Sequence, residues 1–456
     1  MPKSPRIDFD RVATDLRKHL LNGVSSASEA CKYLGISQST FSRVVTRLTD
    51  ELLIVGRASK TRYALRRTIP DVGSQCPVYR IDEQGKTSKF GTLHAIHSRG
   101  FYCESSLDAK NKSHFFPDFP YFLDDLRPSG FLGRLIPKQH LDLDLPKRID
   151  DWTANDCLKY LTRFGHDLIG DLILGDEAFQ RYLDANRGRP HFISRDERSE
   201  EYPKRAIDVL KFGDPGSSAG GEQPKFSAIV GPEITPVLVK FSPKIEDNVS
   251  RRRADLMICE HLSLDVIRRS GHSATESELI QGENQIFLEV KRFDRTGIRG
   301  RLGLASLRAL DAEFVGNGKT WTEISQGLLK RRLIDEDAYR DIRWAEWFGH
   351  FIGNTDMHPA NMSFYFQLPR VVGLAPVYDM LPMLYAPQND QIIEREFHPP
   401  LPKPDDAEIW RSAWTAGCEF WTAVSNDARI SSNFRQIARK NLEHLRSIEG
   451  LRELLP

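Results

Sequence analysis

The sequence has no paired cysteines. Its six, Cys31, Cys76, Cys103, Cys157, Cys259 and Cys418, are scattered, and no two form a CxxC pair. That argues against zinc ribbons and thioredoxin-type chemistry and fits a reducing cytosol. No apolar run approaches the ~18 residues of a membrane span. The opening Met1-Pro2-Lys3-Ser4-Pro5-Arg6 lacks the apolar core of a signal peptide, so a cytoplasmic protein is expected, nucleoid-associated when on DNA, with no membrane partner. Internal repeats, low-complexity tracts and the GxxxxGK[ST] phosphate loop are also missing. Strong net charge is absent: +1 over 456 residues excludes a general polyanion binder.

What remains is 40% apolar and 28% charged, the composition of a globular protein of two or three domains. The charge is uneven. Residues 1–70 hold 13 Lys/Arg against 6 Asp/Glu, a local +7 that leaves the remainder at −6. A basic amino-terminal module on a mildly acidic body points to a local nucleic-acid contact.

Within that module Val12, Leu16, Leu20 and Leu21 have helical spacing over 9–22. Ser26 or Ser28 can cap a second helix at 29–34, which Gly35 stops. Ser37 can cap a third, reaching about residue 53, with Phe41, Val44, Val45, Leu48 and Leu52 on its buried stripe. Gln38, Ser39, Thr40, Ser42, Arg43, Thr46 and Arg47 then form its outer face, suited to base edges and phosphates in a major groove. Residues 52–55 and 62–65 read as strands, with the basic hairpin tip 56–61 between them. This resembles a winged helix-turn-helix. Its expected DNA contacts are Gln38, Ser39, Thr40, Ser42, Arg43, Arg47, Arg57, Lys60 and Arg62. The alternative is a protein-docking module with a solvated basic face. Where winged helices read palindromes they do so as dimers, so a homodimer is the matching oligomer.

Residues 71–110 read as strands at 78–81, 91–97 and 100–103, and 115–185 mainly as helices. Polar, Gly/Pro-punctuated 186–203 reads as a linker or mobile loop. A glycine-rich stretch follows, Gly216-Ser217-Ser218-Ala219-Gly220-Gly221-Glu222-Gln223-Pro224-Lys225, in which backbone N–H groups can approach phosphates unobstructed. Just beyond it the β-prone Val237-Leu238-Val239-Lys240-Phe241 carries one lysine, placed as in kinases that reach the α/β-phosphates from a strand. Thr355-Asp356-Met357-His358-Pro359-Ala360-Asn361 sets an Asn five residues after an Asp. That is the kinase catalytic-loop spacing, with Asp facing the acceptor hydroxyl and Asn holding magnesium. Tyr378-Asp379 ends an apolar run where a second metal-binding Asp belongs. No partner for Lys240 stands out; Asp255 and Glu260 both lie on the following helix. The Arg251-Arg252-Arg253 run reads as a solvated face. Ser37, His166, Trp410, Trp414 and Trp421 read as structural.

These motifs resemble the HipA-like serine/threonine kinases, toxins of bacterial toxin–antitoxin pairs. Ser218 to Lys225 matches their S-x-x-G-x-Q-x-K loop, and Val290-Lys291-Arg292-Phe293-Asp294-Arg295 their V-x-R-F-D-R hinge. Thr355 to Asn361 matches T-D-x-H-x-x-N, Tyr378-Asp379 the metal-binding Y-D, and Gly165 to Gly170 a G-x-D-x-x-G segment. Together with the winged helix this is closest to the YjjJ-like branch. The resemblance implies an α+β, bilobal protein-kinase-like fold behind the winged helix-turn-helix. Its domains would be 1–70 (DNA-binding), 71–204 (amino-terminal subdomain), 205–295 (kinase N-lobe) and 296–456 (helical C-lobe). It implies ATP and Mg2+ as cofactors and a protein substrate phosphorylated on Ser or Thr. Asp356 would be the catalytic residue, and Asn361 and Asp379 the magnesium ligands. Lys240 and the loop Ser218, Ala219, Gly220 and Gly221 would meet phosphates. Lys291 and Phe293 would meet adenine through their backbones, with Asp294 and His358 nearby. Ser218, or adjacent Ser217, would be autophosphorylated, ejecting the loop and switching the kinase off. Restraint would come from an antitoxin or from the chain itself. The rivals are a transcription regulator whose kinase fold only senses nucleotide, and a small-molecule phosphotransferase.

Overall fold

The computed structural model describes residues 7–105, 115–188, 191–211, 223–316, 318–401 and 406–449. Near the amino end, helices Phe9–Leu20, Ala27–Leu34 and Gln38–Arg47 precede a hairpin of strands Leu52–Val55 and Arg62–Leu65. A short strand, Ser25–Ser26, makes the sheet three-stranded and antiparallel. Local chemistry fixes the helix ends. Ser26 and Glu29 form a reciprocal capping box, Gly35 takes a left-handed φ of 63°, and the Ser37 side chain accepts from Thr40 N–H. The third helix stops at Arg47, short of the expected end near residue 53. Leu52 to Val55 instead pair in register with Leu65 to Arg62, which buries Leu52 and Leu53 on opposite faces of one strand.

No linker separates this module from the next. Leu53 and Ala64 pack on Ile96 and Tyr102. Arg67 N–H donates to Ala95 O at 2.9 Å, and His97 N–H to Leu65 O at 2.9 Å. The middle domain is a five-stranded antiparallel sheet, in the order Phe115–Phe116, Phe101–Ser105, Thr87–Ala95, Gln75–Ile81, Leu172–Leu174. Helices Tyr121–Asp124, Gly130–Gln139, Ala154–Phe164 and Asp176–Ala185 accompany it.

A second five-stranded sheet holds Lys240. Its order is Ser277–Gln281, Ile286–Lys291, Thr235–Phe241, Lys225–Gly231, Ile193–Ser194. The stretch 186–203, expected to be a linker, supplies the last of these strands and starts helix Arg198–Leu210. The boundary drawn at residue 204 therefore falls inside a helix packed on this sheet. Polarity misled because the charges pair inside. Buried Arg198 reaches Glu278 at 2.8 Å and buried Glu289 at 3.1 Å, and the Tyr202 hydroxyl donates to Glu289 at 2.5 Å.

The long helix Asn248–Arg269 is buried on most sides between this sheet and the carboxy-terminal helices Glu336–Ile352, Ala407–Asn426 and Ser432–Ser447. Trp410 and Trp421 are fully buried there; Trp421 Nε1 donates to Phe351 O and Trp414 Nε1 to Leu445 O, both at 2.9 Å. Removing one member of a buried ion pair strands the other. Arg198→Ala is therefore expected to cost about 3–5 kcal/mol in urea unfolding, with Glu289 left out of water and uncompensated.

Candidate active site

Along strand Thr235–Phe241, Val237, Val239 and Phe241 point into one apolar core, so Lys240 projects to the opposite face. It is 5% exposed. Its Nζ lies 2.6 Å from Glu260 Oε1, in the middle of helix Asn248–Arg269, and also contacts Asp379 Oδ1. The open choice of partner thus falls to Glu260. Asp255 is engaged elsewhere, where it accepts from Ser431 N–H at 2.9 Å and Oγ at 2.5 Å and anchors the start of helix Ser432–Ser447. The arginine run, expected to be solvated, is structural. Arg252 is 4% exposed, stacks on Phe434 and bonds Asn433 Oδ1 and Tyr385 O, while Arg251 pairs with Asp255 and Arg253 with Asp390. Burial lowers the Lys240 pKa, but Asp379 and Glu260 outweigh it and raise it. Burial pushes Asp379 upward, yet Lys240 and then Lys225 hold it at about 2. Glu260 is raised by burial, against the pull of Lys240.

The segment after helix Glu336–Ile352 is pinned at several points. Gly353 ends the helix at φ 74°. Buried Asn354 Oδ1 accepts from Asp356 N–H at 3.0 Å, and Asn361 Nδ2 donates to Asp356 O at 2.9 Å. Trp321 Nε1 holds His358 O at 3.0 Å and the Tyr378 hydroxyl holds Ala360 O at 2.8 Å. Asn354, Trp321 and Tyr378 are positioning residues that motif spacing alone does not reveal. Asp379 itself sits at φ 52°, a left-handed conformation that Asp tolerates better than most residues.

Lys225, Lys240, Glu260, Asp356, Asn361 and Asp379 line one cavity of about 570 Å3, with His358 also on its wall. Asn361 Oδ1 and the Asp379 carboxylate give two hard oxygen donors there. This suits Mg2+, which takes one or two protein ligands and completes its shell with phosphates and water. Ser217, Ser218, Ala219, Gly220 and Gly221 lie outside the described residues. Gln223, which follows them, donates to Phe241 O at 2.5 Å and so ties the loop's exit to the Lys240 strand.

The hinge residues stand outside this lining. The Lys291 N–H donates to Glu276 O and its carbonyl accepts from Thr275 Oγ1, so both of its backbone groups have partners within the protein. The Phe293 ring lies 5.5 Å from that of Tyr378. Asp294 is buried and accepts from Arg292, Arg295 and the Gly170 N–H, which leaves its carboxylate engaged within the protein. Asp167 meets the same two arginines at 3.2 and 3.0 Å. Burial raises Asp167, but Arg292 and Arg295 outweigh it and hold it at about 2.

On the amino-terminal module Gln38, Ser39, Ser42, Arg43, Arg57 and Lys60 are exposed and Arg62 is half-buried. One expected contact is corrected. Thr40 is 7% exposed, its hydroxyl 3.0 Å from Ser37 Oγ, because the capping turn folds it inward. Arg47 is exposed, lying over the Phe9 ring and 3.2 Å from exposed Asp10.

Two family models match the chain: the middle domain of YjjJ-like toxins over residues 72–183 and the HipA-like C-terminal domain over 217–445. The chain is similar to Toxin YjjJ of Escherichia coli (strain K12), 37% identical over 454 residues, covering 96% of this chain and 98% of the relative. Among solved structures it is similar to a chain of the Shewanella oneidensis MR-1 complex of HipA, HipB and operator DNA. That match has a TM-score of 0.49 and 14% identity over 81% of this chain and 95% of that one. The Helicobacter pylori proinflammatory kinase CtkA matches with a TM-score of 0.36 and 16% identity, over 49% of this chain and 88% of its own.

A depressed carboxylate stabilises the fold above its ordinary pKa and ceases to do so as pH falls through the folded value. For Asp379 that window runs from near 4 down to about 2. Lys240→Met leaves two carboxylates without their cation. It is expected to be destabilised most at neutral pH, on the order of 3 kcal/mol. Because burial raises both carboxylates once Lys240 is gone, the gap to the wild type should begin to narrow above pH 4 and keep narrowing towards about pH 2, as read by urea unfolding at a series of pH values.

Proposed function

This chain belongs to the YjjJ-like toxins with a HipA-like C-terminal domain, and we propose that it is a Mg·ATP-dependent serine/threonine protein kinase carrying its own DNA-binding module. One observation carries the reading: Lys240, its partner Glu260, the Asp356 and Asn361 loop and Asp379 come from separate stretches of chain and line one cavity. Bound Mg·ATP supplies the transferable phosphoryl group. Glu260 holds Lys240 in place to receive the α/β-phosphates. Asn361 and Asp379 offer the oxygens for the metal. Asp356, its backbone fixed from both sides, orients the acceptor hydroxyl and takes its proton. In this structure Lys240 contacts the Asp379 carboxylate, so Asp379 would have to share or release that contact to serve as a magnesium ligand. Acceleration comes from positioning and charge neutralisation, since phosphoryl transfer asks for little covalent chemistry from the protein.

The same reading assigns Ser218, or Ser217, as the autophosphorylated residue and DNA contact to Gln38, Ser39, Ser42, Arg43, Arg47, Arg57, Lys60 and Arg62. Such a chain can repress its own promoter and restrain itself, where the relative from Shewanella oneidensis is found with HipB and operator DNA.

Incubation of the full chain with Mg·ATP, followed by intact mass and peptide mapping, is expected to show a phosphate within 212–222. It should be absent in Asp356→Ala. A wild-type protein that starts unmodified and transfers no phosphate to itself or to added protein overturns the kinase reading in favour of a nucleotide-sensing regulator. For the DNA module, Lys60→Ala in the full chain should weaken binding to its own upstream region and to random duplex alike. It should also reduce the salt slope by about 1, as measured by fluorescence anisotropy at several salt concentrations.

A further inference from the structure

The cavity has an acceptor side that no motif describes. Beyond the Lys240–Asp379 end it is walled by Asp125, Ser129, Gly130 and Phe131 of the middle domain and by Arg308 of the short helix Leu307–Leu310. Arg308 is half-exposed, with its side chain at 49%. Its guanidinium lies 3.5 Å from Asp124 Oδ2 and 3.8 Å from Asp125 Oδ1. Both separations exceed hydrogen-bond length. Each carboxylate also serves another donor, Asp124 through Oδ1 and not through the Oδ2 nearest Arg308. Asp125 accepts from Ser306 N–H and Oγ, both at 2.6 Å, and Asp124 accepts from Arg127 Nε at 2.7 Å. They hold the Arg308 charge in place by attraction and leave its N–H donors facing the cavity that contains Asp356.

We propose that Arg308 is a specificity-determining residue of the kinase. It pairs with a negatively charged group beside the acceptor serine or threonine, so acceptor hydroxyls in acidic surroundings are selected. A planar guanidinium with open donors binds a carboxylate or a phosphate through two parallel hydrogen bonds. The charged neighbour is therefore an Asp, a Glu or a residue already phosphorylated. The proposal rests on the kinase reading above and adds the class of substrate to it.

The test maps sites that the purified full chain phosphorylates in a bacterial lysate with Mg·ATP, with Asp356→Ala as background. One arm uses native lysate and the other phosphatase-treated lysate, which separates a phosphate neighbour from a carboxylate. Wild-type sites are expected to be enriched in negative charge within two residues of the acceptor by roughly two- to fivefold, the scale of a partly exposed ion pair. Arg308→Glu should reverse the preference towards Lys and Arg, Arg308→Gln should abolish it, and Arg308→Lys should keep part of it. Thermal unfolding midpoints check that each variant is folded. Wild-type sites without such enrichment, or an unchanged profile in folded Arg308→Glu and Arg308→Gln, overturn the assignment while leaving the kinase reading intact. A wild-type profile no different from Asp356→Ala removes both.

Discussion

The Lys240 ammonium is the contact on which the arrangement depends. It joins a strand, the long helix through Glu260 and the carboxy-terminal lobe through Asp379. Two carboxylates share this cation, and Lys225 on the same cavity wall adds a second positive charge that Asp379 feels. The opposite shifts of Glu260 and Asp379 express that competition: burial wins at the first and Lys240 wins at the second.

A second ionic cluster ties the 290–295 segment to the middle domain. Arg292 and Arg295 bridge Asp167 of the middle domain and Asp294 of the hinge, and the Gly170 N–H also donates to Asp294. Two motifs more than 120 residues apart in sequence are thus halves of one clasp. Their acids and bases serve each other. This explains why Asp294 faces its arginines and not the cavity, although it sits in the hinge beside Phe293.

Much of this was legible in the sequence because the chemistry is local. The DxxxxN spacing, the strand lysine and the Ser26 and Ser37 caps each follow from a few neighbouring residues. What was not legible depends on partners distant in the chain. Glu260 could not be told from Asp255 because both lie on one helix, and only the docking of Ser431 against Asp255 separates them. The Arg251–Arg253 run and residues 186–203 look solvated by composition, yet Arg252 and Arg198 find acceptors 181 and 91 residues away. Thr40 has a helical position that allows an outer face, but its side-chain contact with Ser37 turns it inward.

The middle domain is where these observations meet. One end carries the basic module, with Ile96 and Tyr102 under the hairpin residues Leu53 and Ala64. Another part walls the catalytic cavity through Asp125 and Ser129 to Phe131. A module packed this way has its orientation set by the body and not by a tether, since separating it would expose Leu53 and Ala64 to water. Arg43 and the Arg57–Lys60 hairpin tip are therefore held in a fixed relation to that cavity through one intervening domain.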